Sequence, residues 1–442
     1  MDSNRGKVRF TLFVLLAINT MNFFDRQIPG VVAEPLRKEL HLTDQQLGWL
    51  TPAFLALYAV VGIPLGRWAD LGHRRRILAG GVALWSAFTA LAGLTTGFWT
   101  LFATRLGVGV GEASCAPTAS SLIGDLFPRE RRARAMSLFM LGLPLGLSLT
   151  SLVSGKLGES NWRNAFYVAA VPGFILAVLS LFIADPARGA SELHAVGAAR
   201  RSGSPLLLIL RIPTMWWIIV SGVLHNFNMY TIGSFIYADM QRYHRVSTSA
   251  AGQINSVLFG VGGLGILVGG WACDRIVRYR ISGRLELCAL SILISVPCFF
   301  MAFQQPAGAI TSSTLWLLPG FAMIYIYYSG VYATIQDVVE PAMRGTAMAV
   351  YFFAMYTVAA FGPVITGWIS DQRARQVLES AAESLTIEQA KAIGLHQALY
   401  IIPILAAVLV LVLFAASRTV GRDHNLLQKW MESTGQVERT LV

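Results

Sequence analysis

The chain is predicted to be an all-α membrane protein with twelve transmembrane helices in two pseudo-symmetric six-helix halves. Three observations carry that prediction. Of 442 residues, 55% are hydrophobic and only 13% charged, and mean hydropathy is +0.56, whereas a soluble protein carries about 25% charged residues. The apolar residues gather into twelve runs near the ~20 residues that cross a ~30 Å hydrocarbon core. A polar segment then divides those runs six and six, and short motifs of the first set recur in the second.

The first run is 10–31. Arg5, Lys7 and Arg9 ahead of it resemble the start of a signal peptide, but Asn19, Asn22, Asp25 and Arg26 follow with no small-residue cleavage site, so it is read as a span. Runs at 47–66, 77–96, 98–123, 135–157 and 164–184 complete the first set. Each is expected to be a helix, which satisfies its own backbone polar groups where no water can. Residues 185–211, with Gly189, Gly197, Gly203, Pro186 and Pro205 among several charges, read as a linker. Runs at 213–238, 250–272, 285–303, 314–337, 345–369 and 397–416 form the second set. The polar stretch 371–397 reads as short external helices. The domain prediction is therefore an N-terminal half 1–184, a cytoplasmic linker 185–211, and a C-terminal half 212–442 with a cytoplasmic tail.

Placing the N-terminus inside puts 24 of the 35 Lys and Arg residues in cytoplasmic segments, which fits cytoplasmic N- and C-termini by the positive-inside rule. The net charge of +11 is then a topology and anionic-lipid signal rather than a nucleic-acid signal. Cys115, Cys273, Cys288 and Cys298 lie in apolar surroundings without metal spacing and read as packing thiols. No His-x-x-x-His, paired Asp motif or nucleophile elbow is present, so neither an enzyme nor a metal or other cofactor is expected.

The internal repeat is specific. Gly66-Arg-Trp-Ala-Asp70 with Arg74, Arg75 and Arg76 follows the second run, and Gly270-Trp-Ala-Cys-Asp274-Arg275 with Arg278 follows the eighth. Pro128, Arg131 and Ala135-Met136 correspond to Pro341, Arg344 and Ala347-Met348. Repeats of this kind mark transporters that bind substrate near the midplane and rock one half against the other. The Gly66 to Arg75 pattern on a 6+6 chain resembles the signature loop of the major facilitator superfamily. That resemblance implies one central cavity opening alternately to each side. Gly66 would permit close helix approach, Asp70 and Arg74 would form a cytoplasmic charge latch, and Asp274 with Arg275 would mirror it.

Four charges fall inside apolar runs: Asp25, Arg26, Arg105 and Glu112. Such residues cost roughly 2.5 to 3.5 kcal/mol each at a helix centre and often mark an ion or substrate path. Arg105 and Glu112, seven apart, share a helix face and can join one network; Gly107-x-x-x-Gly111 between them lets a neighbouring helix approach. Asn19, Asn22 and Arg26 form a polar stripe. Glu112 and Asp25 can take up a proton, and an Arg or anionic substrate moving past Glu112 would switch it. Arg26 and Arg105 stay charged and present forks suited to carboxylate or phosphate. The second half offers instead His225, Asn226, Asn228 and Tyr230, then Tyr325, Tyr328, Ser329, Tyr332 and Gln336, then Tyr351, Phe352, Met355 and Tyr356. A cavity charged on one wall and aromatic on the other suits an amphiphile with an anionic or zwitterionic head.

Asn22-Phe-Phe-Asp25-Arg26, the Arg105-x6-Glu112-Ala-Ser run and Asp125-Leu-Phe-Pro-Arg-Glu-Arg131 resemble the spinster family of lysophospholipid and sphingosine-phosphate transporters. By that resemblance Asp25 and Glu112 carry the proton switch. Arg26, Arg105 and Asn22 engage the head group. Asn19, His225, Asn226, Tyr230, Tyr325, Tyr328, Tyr332 and Tyr356 line the cavity. The compact loops suggest a bacterial, inner-membrane version working as a monomer with protons, a small amphiphilic or anionic substrate and membrane lipids as its partners. Organic-anion:proton symporters share the Asp-Arg and Arg with Glu-Ala pattern and stand as the alternative. A facilitative lipid scramblase or receptor is the reading outside coupled transport.

Overall fold

The computed structural model describes residues 2–71, 73–127, 135, 138–186, 205–340, 343–380 and 385–440. Among these every regular element is helical, and each of the twelve predicted runs overlaps one or more helices. The first run is α1 (Asp2–Val31), followed by a short α2 (Ala33–Leu40) that ends at His41, whose φ of 51° turns the chain. Next come α3 (Asp44–Leu71) and α4 (Arg74–Ala92). The fourth run splits into α5 (Phe98–Glu112) and α6 (Cys115–Leu126). Pro117 explains the break, because its ring crowds the carbonyl four residues back, at Ala113.

Then follow α7 (Gly142–Ser160), α8 (Arg163–Ser180), a short α9 (Pro205–Leu210), α10 (Pro213–Arg242), α11 (Thr248–Ile276) and α12 (Gly283–Phe303). The chain continues through α13 (Ile310–Val338), α14 (Arg344–Val358), α15 (Gly362–Ser380), α16 (Ile387–Ala398) and α17 (Ile401–Thr440). Eight helical stretches among the described residues are long and apolar enough to cross a membrane by length and composition. Large apolar side chains point outward on many of them, such as Ile175, Leu267 and Leu411. That inside-out distribution is stable only in lipid. Most of the predicted linker, 187–204, lies outside the described residues.

Packing separates two compact units that do not follow chain order. The first gathers Met1–His194 with Tyr230–Phe259 and Ala360–Ala398. Within it α1 packs on α7, α4 on α8, α5 on α3 and α4, and α15 on α3 and α16. One end of this unit therefore joins segments from both sequence halves. A Cβ on Gly48 of α3 would lie 2.4 Å from the Pro363 carbonyl oxygen of α15, so the two backbones touch where no side chain fits. The second unit gathers Ala195–Met229, Gly260–Ala359 and Leu399–Val442, and in it α12 packs on α13 and α17.

Candidate functional site

The first unit collects all four intramembrane charges. Arg26 Nε donates to Glu112 Oε2 at 2.7 Å; the Glu112 side chain is fully buried. The rings of Phe23, Phe54 and Tyr58 surround the Arg26 guanidinium at 4.8 to 5.1 Å, covering its faces with π-electron density. Arg105 is buried, reaches the main-chain oxygen of Asp25 at 3.4 Å through Nη1, and lies 5.6 Å from the Phe166 ring centre. Its Nε and Nη2 donors have no hydrogen-bond partner among the described residues, nor does Asp25 Oδ1 or Glu112 Oε1. Thr89 donates weakly to Asp25 Oδ2 at 3.4 Å. Asn22 is buried beside Glu112, while Asn19 donates to the Phe139 carbonyl at 2.8 Å and ties α1 to the chain ahead of α7.

Local sequence explains this convergence. On α5 a Cβ at Gly109 would meet the Phe54 carbonyl of α3 at 2.3 Å, and one at Gly111 would meet Gly81 and Trp85 of α4. Small residues therefore let α5 settle against two neighbours and carry Arg105 and Glu112 inward.

The second unit holds the aromatic group. His225 is buried, stacks on Tyr327 at 3.9 Å and meets Tyr328 edge-on at 4.7 Å. Tyr327 Oη bonds to Ser221 Oγ at 2.8 Å and Tyr351 Oη at 3.2 Å, and Asn226 accepts from Tyr328 at 3.5 Å. Ring contacts continue from Tyr325 to Tyr328 and Tyr332, then to Tyr351, Phe352 and Tyr356. Tyr327, at the centre, lies off the Tyr325, Tyr328, Tyr332 face and is the member sequence reasoning missed. Tyr230 belongs to the first unit.

Charge clusters occupy helix ends. Gly66 and Asp70 lie in α3, with the Asp70 side chain outside those described. Arg74 is buried and binds Asp125, Asp185 at 2.8 Å and Ser121 Oγ at 3.1 Å. In the second unit Arg284 binds Asp337 and approaches Asp274 at 3.6 Å, while Arg275 is exposed. Arg284 and Asp337 begin α12 and close α13 as Arg74 and Asp125 begin α4 and close α6, a correspondence the motif alignment did not reveal.

At the opposite end of the first unit lies a cluster with no counterpart among the predicted sites. Arg242 of α10 contacts Glu34 at 2.5 Å and Asp44 at 2.8 Å. Arg37 bridges Glu34 at 2.9 Å and Glu388 of α16 at 2.5 Å. Ser370 donates to Asp44 at 2.7 Å, and Asp371 accepts from the Asp44 and Gln45 main chain. Burial pushes the Glu34 carboxyl up, but Arg242 and Arg37 outweigh it and hold it at about 2.

The family model described as Major Facilitator Superfamily matches residues 15–363. An MFS-type efflux pump of Mycolicibacterium smegmatis is 28% identical over 361 residues, 81% of this chain and 83% of the relative. Protein spinster homolog 1 of Mus musculus is 28% identical over 407 residues, 84% of this chain and 75% of the relative. A crystal structure of a bacterial homolog of the human lysosomal transporter Spinster, inward-facing and occupied, aligns with a TM-score of 0.83 at 26% identity. It covers 94% of this chain and 98% of that one.

Proposed function

The chain belongs to the major facilitator superfamily, and from that premise we propose that it is a proton-coupled carrier of an amphiphilic anion of the lysophospholipid or sphingosine-phosphate class. It is a spinster-like, multi-pass membrane transporter and not an enzyme. The observation that carries the finer reading is Arg105, a buried guanidinium with two donors that have no acceptor among the described residues. A buried charge with open donors is costly unless a ligand completes it, and the guanidinium fork matches phosphate or carboxylate.

In this reading the substrate head group binds Arg105 and draws Arg26 from Glu112. Glu112, losing its cation, then takes a proton, and Asp25 beside Arg105 serves the same coupling. Within the second unit the half-buried Tyr328, Tyr332 and Tyr356 are the rings that offer apolar surface, whereas His225 and Tyr327 are fully buried. The Glu34, Arg37, Asp44, Arg242, Glu388 cluster is the outer latch of alternating access, and the Arg74 and Arg284 clusters are cytoplasmic. Both termini then face the cytoplasm of a bacterial inner membrane, and the six-plus-six helix halves of a monomer are the moving parts.

A thermal-shift panel of lysolipids, sphingosine-phosphate and small organic acids on the purified protein tests the substrate class. Lysolipid stabilisation that disappears in Arg105→Ala supports it; stabilisation by hexuronate-like acids alone overturns it. In proteoliposomes holding a pH dye, Glu112→Gln is expected to abolish the response to a pH gradient. Undiminished, pH-insensitive uptake in that variant would instead fit a facilitative scramblase.

A further inference from the structure

Asp239 in the last turn of α10, His244 just after it, and His396 near the end of α16 lie together in the first unit, all buried. One ligand atom from each falls within 4.8 Å of the other two. His396 Nδ1 sits 2.9 Å from Asp239 Oδ1. The Tyr243 ring stacks on His396 at 3.6 Å with an interplanar angle of 7°, fixing the imidazole plane, and stands edge-on to His244 at 5.2 Å. His244 is 4% exposed, yet neither ring nitrogen has a hydrogen-bond partner among the described residues.

Leaving a buried imidazole unsatisfied costs about 1 to 3 kcal/mol, and no hydrogen bond among the described residues offsets it at His244. We propose that Asp239, His244 and His396 form a binding site for a divalent transition-metal ion of the Zn²⁺ class. Two imidazole nitrogens and one carboxylate oxygen are the donor set such an ion takes, with water completing a tetrahedron; Ca²⁺ and Mg²⁺ want oxygen ligands instead. Tetrahedral bonds of about 2.0 to 2.1 Å place ligand atoms roughly 3.4 Å apart, so side-chain rotations of about 1 Å close the site. The ion would pin α16 to α10. Glu388 at the other end of α16 already binds Arg37, so occupancy stiffens the charged end of the unit.

The test uses the full-length protein, chelator-treated and free of any polyhistidine tag, titrated with Zn²⁺ and separately with Co²⁺. One ion per chain, the visible absorption of tetrahedral Co²⁺ and a raised unfolding temperature with Zn²⁺ are expected. His244→Ala removes a side chain with no hydrogen bond, so its metal-free unfolding temperature should be close to the parent's while Zn²⁺ affinity falls at least about 100-fold. His396→Gln should behave likewise toward metal, and Arg37→Ala should bind as the parent does. No bound ion, or unchanged affinity in His244→Ala, overturns the proposal. Neither outcome depends on which substrate the protein carries.

Discussion

Arg26 and Glu112 show how far residue spacing reaches. The seven-residue interval between Arg105 and Glu112 placed both on one face of α5, but the direct partner of Glu112 is Arg26 of α1, while Arg105 turns to the main chain of Asp25. Periodicity assigns a face and leaves the partner across the helix gap undecided. Arg26→Ala leaves a fully buried carboxylate without its ion pair, a loss of roughly 3 to 5 kcal/mol. Adding Glu112→Gln should return most of it, and a double-mutant cycle of thermal unfolding in detergent reads the coupling. Glu34 makes a pH prediction of defined sign. Its carboxyl titrates at about 2 in the folded protein against 4.5 as a free side chain, so its stabilising contribution is complete above about pH 4.5 and fades as pH falls toward 2. Unfolding temperature measured from pH 5 to pH 3 should fall less steeply in Glu34→Gln; equal slopes would refute the assignment.

At the scale of elements, the apolar runs located the main helices, since hydrophobic length is a property of the chain alone. The break between α5 and α6 was legible at Pro117, although the run was read as continuous. The region 371–397 became α16 and the end of α15, and there the sequence indicated short helices without saying what they touch. Contact between α3 and α15 depends on Gly48, whose neighbours at Pro363 and Val364 are backbone and cannot rotate away. Gly48→Ala should therefore lower the unfolding temperature, by about 1 to 3 kcal/mol of overpacking. Gly80, whose Cβ would meet nothing within 4 Å, supplies the control: Gly80→Ala should leave stability unchanged or slightly higher.

For the molecule as a whole, one end of the first unit is tied together by the Arg242 ion pairs and by glycine-mediated backbone contact. Arg242→Ala strands Glu34 and Asp44, whose side chains are 6% and 3% exposed, so this end should open. Thr51→Cys, placed 3.3 Å from Ser234 by its hydroxyl in the parent, reports the change: labelling by a membrane-impermeant maleimide should rise in the Arg242→Ala background. Unchanged labelling would mean that the cluster does not hold the end shut. Composition and run length determined by themselves that this chain is an all-helical membrane protein, and the repeated motifs with the Arg105-x6-Glu112 run pointed to its family. Those signals are local, and each can be read without knowing what lies across a helix. Tertiary structure alone decided that Arg26 rather than Arg105 binds Glu112, that Tyr327 centres the aromatic group, and that His244 meets His396 across about 150 residues of chain. Partners so distant in sequence leave no spacing to read, because helix packing rather than periodicity sets which side chains come within hydrogen-bond reach.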